Sequence, residues 1–200
     1  MGRKEKKLHK VEQERQSGLA GLTERCLGAF VAAGTLDLSL DELGAHVGMS
    51  KRMLIHYYGS RENLEFKVLE VLEDRLRARF RADAFPAGAS AKDVVAALWE
   101  QTVAKESRGT LQVIMDVSRR GWSGSARARD FYEEQQRLWV KLLRVFLPDK
   151  EEVDELLQLF QGAVLLYLVT GDREKGWRAL NRLVKRLTPP ETKKTKKERI

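Results

Sequence analysis

Two hundred residues suffice for one large domain or two small ones, and a composition of 42% hydrophobic and 33% charged residues excludes a disordered chain. Lys+Arg 37 against Asp+Glu 29 leaves a formal charge of +8, a balance that favours a polyanionic partner because cationic side chains release counterions from a phosphate backbone. Cys26 is the single cysteine, which excludes an intrachain disulfide and a cysteine-built zinc site.

Met1–Gln16 is charged throughout, with no apolar centre of the kind a secretory signal needs, so a cytoplasmic protein is expected. The segment reads as a mobile or frayed-helical arm. From Leu19 to Ala33, Leu19, Leu22, Cys26, Leu27, Phe30 and Val31 recur at three- and four-residue steps, an amphipathic helix that Gly34 stops. Cys26 falls on its apolar face and reads as a small core hydrophobe.

Ser39 with Glu42 three residues later is a capping box that opens a new helix, and Gly48 breaks it after two turns. Ser50 caps the next helix, which Gly59-Ser60 ends. A long amphipathic helix then runs to about Arg81, with Leu64, Val68, Leu69, Val71, Leu72 and Leu76 along it. Phe85-Pro86-Ala87-Gly88 is the clearest break. Ser90 with Asp93 restarts helix to about Lys105, and another helix near Thr110–Arg120 is bounded by Gly109 and Gly121. Gly124-Ser125 precedes a helix to Phe146, Asp149 with Glu152 caps one to Thr170, and a last helix ends at Leu187.

No alternating apolar stretch suggests a strand, so the predicted class is all-α with about nine helices. The longest apolar run, Ala163–Val169, is too short to cross a bilayer. The expected division is a charged arm at 1–18 and a helical domain at 19–66, its fourth helix continuing to about 82. A second helical domain at 83–188 and a disordered basic tail at 189–200 complete it.

Two short helices joined by a glycine turn fit a DNA-reading geometry, in which the helices cross steeply and the first carries a small residue at the crossing. Counted from Leu40, the fifth residue is Gly44 and the ninth is Gly48, where the turn needs positive φ. Leu43, Val47, Met49 and Leu54 bury the pair. The second helix, about Ser50–Tyr57, is then the recognition helix in the major groove. Lys51 and Arg52 suit guanine or phosphate, Met53 suits a thymine methyl, and His56 and Tyr57 reach further bases or the backbone. Ser39 and Ser50 stand at helix N-termini that favour phosphate. Arg61, a cation in a first helical turn, is expected to bind phosphate too. Tyr58 reads as core.

These residues resemble the TetR family of bacterial regulators. Leu22, Cys26, Phe30 and Gly34 match its pattern of an apolar residue, a small residue, Phe and Gly at four-residue steps. Ser39-Leu40-Asp41-Glu42-Leu43-Gly44 looks like its second helix and Gly48-Met49-Ser50-Lys51 like its turn. Leu54 through Leu64 looks like its recognition helix and the entry to helix four. Ile55 stands where the family usually has a phosphate-binding Tyr, and Arg61 replaces the usual Lys.

The resemblance implies a repressor released from a palindromic double-stranded DNA operator by a small-molecule effector; a co-repressor acting in the opposite sense stays open. It also implies that 83–188 form a helical regulatory and dimerisation domain, in a homodimer whose last two helices pair with their symmetry mates, the candidate contacts being Phe160, Val164, Leu168, Trp177, Leu180 and Val184. Candidate ligand residues among the middle helices are Trp99, Met115, Phe131, Gln135, Trp139 and Gln161. No cofactor and no metal are expected. The scattered histidines His9, His46 and His56 and the absence of a phosphate loop argue against an enzyme. A helical protein–protein adaptor with degenerate DNA binding is the remaining alternative.

Overall fold

The structure, a computed structural model, describes residues 3–188, with side chains from Gly18 onward. Among the described residues the chain is all helical, in nine α-helices. They are α1 (Arg3–Ala33), α2 (Leu40–Val47), α3 (Lys51–Tyr58), α4 (Arg61–Arg79), α5 (Ala91–Thr102), α6 (Arg108–Trp122), α7 (Ala126–Leu143), α8 (Lys150–Thr170) and α9 (Arg173–Leu187), with short 3-10 turns at Ala82–Ala84 and Lys105–Ser107. The expected basic tail at 189–200 lies outside the described residues.

Several boundaries differ from those drawn on the sequence. α1 starts at Arg3 rather than Leu19, since the Lys, Glu and Gln before Gly18 are good helix formers and one glycine does not stop them. Gly109 and Gly121, expected to bound a helix, both lie inside α6. A Cβ on Gly109 would sit 2.0 Å from the Val31 carbonyl oxygen, so this glycine marks a close helix approach and not a stop. α7 ends at Leu143, three residues early, where tight bonds from Val145 N to Leu142 O and Phe146 N to Leu143 O turn the chain ahead of Pro148.

The chain forms two compact units, Met1–Ala84 with Ala104–Leu138, and Phe85–Val103 with Trp139–Ile200. This differs from the division expected at 83, because 104–138 cluster with the helix-turn-helix helices. The first unit has one core. Leu22, Cys26, Leu27 and Phe30 of α1 meet Leu43, Leu54 and Tyr58 of α2 and α3, Leu64 and Val68 of α4, and Val113, Val117 and Phe131 of α6 and α7. Cys26 is fully enclosed, and burial pushes its thiol pKa up despite a hydrogen bond from Tyr58. Such a thiol is a packing group, as its apolar neighbours in sequence suggest. Tyr58, likewise buried, shares a 2.9 Å hydrogen bond with the Thr23 hydroxyl, and burial pushes its phenol up to about 12.

In the second unit α9 packs against α8 and α5. α8 is long and apolar enough, by length and composition, to cross a membrane, although its longest unbroken apolar run is short. Val153, Leu156, Leu157, Ala163 and Val164 are buried and its first turn carries Glu151 and Glu152, so one face of the helix packs inward. Trp99 of α5 is enclosed edge-on by Phe160 and Tyr167, at ring separations of 5.7 and 6.5 Å. Gly176 of α9 makes room for that indole, since a Cβ there would lie 2.6 Å from Trp99 Cη2. Gly176→Ala gains helix propensity of about 1 kcal/mol but overpacks a ring with nowhere to go. A net loss of about 1–2 kcal/mol is expected, read as a lower thermal midpoint by circular dichroism. An unchanged or raised midpoint would contradict this packing.

Candidate nucleic-acid interface

The helix-turn-helix is built from local rules. Ser39 caps α2 with its hydroxyl accepting from Glu42 N at 3.2 Å, while the Glu42 carboxylate accepts from Ser39 N at 2.7 Å. Gly48 ends the helix in the left-handed region, at φ 71° and ψ 35°, where residues with a Cβ are strained. Gly44 is the closest point of the crossing: a Cβ there would lie 2.3 Å from the Met49 carbonyl oxygen. Ser50 then caps α3, accepting from Met53 N at 3.2 Å.

α3 is a short helix with two opposite faces. Leu54 and Tyr58 are buried in the core of the first unit, and Ile55 is half-buried. Lys51, Arg52, Met53, His56 and Tyr57 are all exposed, Met53 and Tyr57 by 40% and 39%. Arg52 with His56, and Met53 with Tyr57, are pairs four residues apart, hence stacked along one side of the helix. The His56 and Tyr57 rings meet edge to face at 5.6 Å. The structure thus brings five of the sequence-predicted residues onto one solvent-facing surface that offers two cations, two rings able to hydrogen-bond and a thioether.

The three other predicted contacts fare differently. At Ser50 the first turn of α3 holds no acidic residue, so its helix dipole and free N–H groups still favour an anion. At Ser39 the N-terminus already holds the Glu42 carboxylate, with Asp41 beside it; a phosphate there meets like charge. Arg61 is turned inward. Its Nε donates to Glu65 Oε1 at 2.8 Å, Nη1 to Leu38 O at 2.6 Å and Nη2 to Leu36 O at 2.8 Å. The guanidinium expected to bind phosphate thus holds the loop before α2, with 30% of its side chain exposed.

The candidate ligand residues are divided between the two units. Met115, Phe131 and Gln135 belong to the first unit, where Phe131 joins the core, and Trp99, Trp139 and Gln161 to the second. Trp139 packs on Phe160 at 6.5 Å, beside Trp99, so these aromatics already fill one another's space. The Gln135 amide nitrogen is buried without a hydrogen-bond partner among the described residues. A cavity of about 120 Å³ in the first unit is walled by Phe66, Leu69, Val117, Arg120 and Arg127, and none of the six candidates lines it.

Of the candidate dimer contacts, Val164, Leu180 and Val184 are 6%, 0% and 1% exposed within this single chain. They are corrected to core residues, because the inner faces of α8 and α9 bury them before any partner arrives. Phe160, Leu168 and Trp177 stay half-buried. The apolar residues that α8 leaves in solvent are instead Leu165 at 54% and Val169 at 77%, with Gly162 exposed one turn earlier.

No protein-family model matches this chain, and no curated protein does. Among solved structures it is similar to a putative TetR-family transcriptional regulator from Rhodococcus sp., at 16% identity and a TM-score of 0.67 over 87% of this chain and 98% of that one. It is also similar to a TetR-family transcriptional regulator from Streptomyces coelicolor, at 18% identity and a TM-score of 0.63 over 88% of this chain and 79% of that one. The chain has the fold of the TetR-family transcriptional regulators.

Proposed function

We propose that the protein is a cytoplasmic, non-enzymatic transcription regulator that binds a near-palindromic DNA operator through α3, acting as a repressor that a small-molecule effector releases. The observation that carries this reading is the exposed face of α3, cationic and aromatic, standing on a helix whose other face is locked into the core. The net charge of +8 supports it, as does the fold shared with named regulators. Arg52, Met53, His56 and Tyr57 read the groove, and Lys51 with the N-terminus of α3 at Ser50 takes a backbone phosphate.

Two such helices must be presented together, one per half-site, about 34–36 Å apart on the duplex. Gly162, Leu165 and Val169, spaced three and four residues apart, form the exposed apolar stripe of α8 that suits a second copy. Leu165→Glu with Val169→Glu is expected to turn a dimer into a monomer by sedimentation; a double variant that stays dimeric rejects this stripe.

Selecting bound fragments from a random duplex library with the purified chain tests the function itself. The expected product is two related half-sites in inverted repeat, with an affinity that falls steeply as salt rises. Recovery of no sequence preference, with retention indifferent to salt, would point to the adaptor reading.

A further inference from the structure

The loop Thr35–Leu38 between α1 and α2 belongs to no helix, so its sheltered polar groups need partners from elsewhere. They find them on α6 and α4. Asp116 Oδ2 accepts from the Thr35 hydroxyl at 2.5 Å and from Leu36 N at 2.9 Å. Leu36 O accepts from Arg120 Nη2 at 3.1 Å as well as from Arg61. The Asp37 carboxylate takes Arg119 and Arg120, each at 2.8 Å. Glu65 closes the circuit by joining Arg61 at 2.8 Å to Arg120 Nη1 at 2.5 Å.

This clasp is sheltered where it matters. The Arg120, Glu65 and Asp116 side chains are 24%, 15% and 17% exposed, so salt screens them less than a surface pair. Burial pushes the Asp116 carboxyl up, but the bonds from Thr35, Leu36 and Arg119 outweigh it and hold the group below its ordinary range. The first turn of α6 is seated as closely, with Gly109 against the Val31 carbonyl. α6 therefore runs as a strut from the end of α1 to the loop. The residue after that loop is Ser39, the cap of α2, and α2 is joined to α3 by the backbone contact at Gly44. The path from the clasp to the outer face of α3 thus runs through the cap at Ser39 and the bond from Met49 N to Gly44 O at 2.9 Å.

We infer that Asp116 and Arg120 are positioning residues for DNA reading: from α6 they set the Thr35–Leu38 loop and, through it, the placement of α2 and the exposed face of α3. The inference rests on the DNA-binding reading above. Neither residue faces DNA in this scheme, so their effect is on discrimination between sequences rather than on attraction to phosphate.

The test compares affinities for the duplex the wild-type chain selects and for a scrambled duplex of equal length, at one salt concentration. Asp116→Ala removes a negative charge, so charge alone predicts tighter binding to both duplexes. Positioning predicts the opposite on the selected duplex: a loss of roughly tenfold, with the scrambled duplex unchanged or slightly tighter. Arg120→Lys keeps the charge, but one ammonium cannot bridge Glu65, Asp37 and the Leu36 carbonyl as a guanidinium fork does, and the same loss of discrimination is expected. Should Asp116→Ala fail to fold by circular dichroism, Arg120→Lys decides alone. A folded variant that keeps the wild-type affinity ratio, or that loses equally on both duplexes, overturns the inference. A wild-type chain that selects no duplex sinks the DNA-binding reading and this inference with it.

Discussion

Gly44→Ala is expected to lower stability by about 1–3 kcal/mol and to abolish selective DNA binding. In isolation the change favours the helix, since alanine exceeds glycine by about 1 kcal/mol in propensity. The crossing reverses the sign. The new Cβ would lie 2.3 Å from a backbone carbonyl oxygen, that of Met49, and backbone cannot swing aside as a long side chain can. α2 and α3 must part, and every contact on α3 moves with the second helix. Gly48→Ala is the control. Its Cβ would meet nothing within 4 Å, so only the left-handed conformation is strained, at about 1–2 kcal/mol, and the folded fraction keeps its DNA affinity. Thermal unfolding and binding to the selected duplex read both effects. Equal behaviour of the two variants would remove the crossing from the explanation.

Arg52→Ala is expected to cost about 1–3 kcal/mol of discrimination, or roughly 5- to 150-fold between the selected and a scrambled duplex. Arg52 is exposed on α3 and lies one turn from His56, so its removal leaves no hole in the core and the helical circular dichroism should not change. Tyr57→Ala, at the far end of the same face, should act in the same direction by losing contact area and a hydroxyl. Lys51→Ala contrasts with both. A phosphate contact carries no sequence information, so binding weakens alike on every duplex and the salt slope falls by about one. Unchanged affinity in Arg52→Ala and Tyr57→Ala together would reject α3 as the reading helix.

The two-helix corner was legible residue by residue because each of its signals is local. Ser39 and Glu42, Gly44, Gly48 and Ser50 act within a few residues of their own backbone, through caps, a left-handed turn and one tight crossing. Arg61 shows where that reasoning runs out. Its position in a first helical turn suggested phosphate, but two of its three partners are carbonyls 23 and 25 residues earlier, which no spacing reveals. Asp116, Arg119 and Arg120 were hidden in the same way, since a charged stretch near the end of a helix reads as a solvated face until the loop it grips is known. The apolar excess of α8 was visible, yet Val164, Leu180 and Val184 could not be told from Leu165 and Val169 until α8 and α9 were packed.

What the amino-acid order determined by itself was the helical class, most helix boundaries, the capped two-helix corner and the set of residues on the outer face of α3. Those follow from periodicity and from hydrogen bonds that close within one turn. Only the tertiary structure decided which unit α6 joins, which apolar residues face solvent, and that the arginine at the start of α4 serves the loop before α2. Each of these depends on contacts between segments distant in the chain, whose free energy belongs to the pair and leaves no periodic trace in either partner alone.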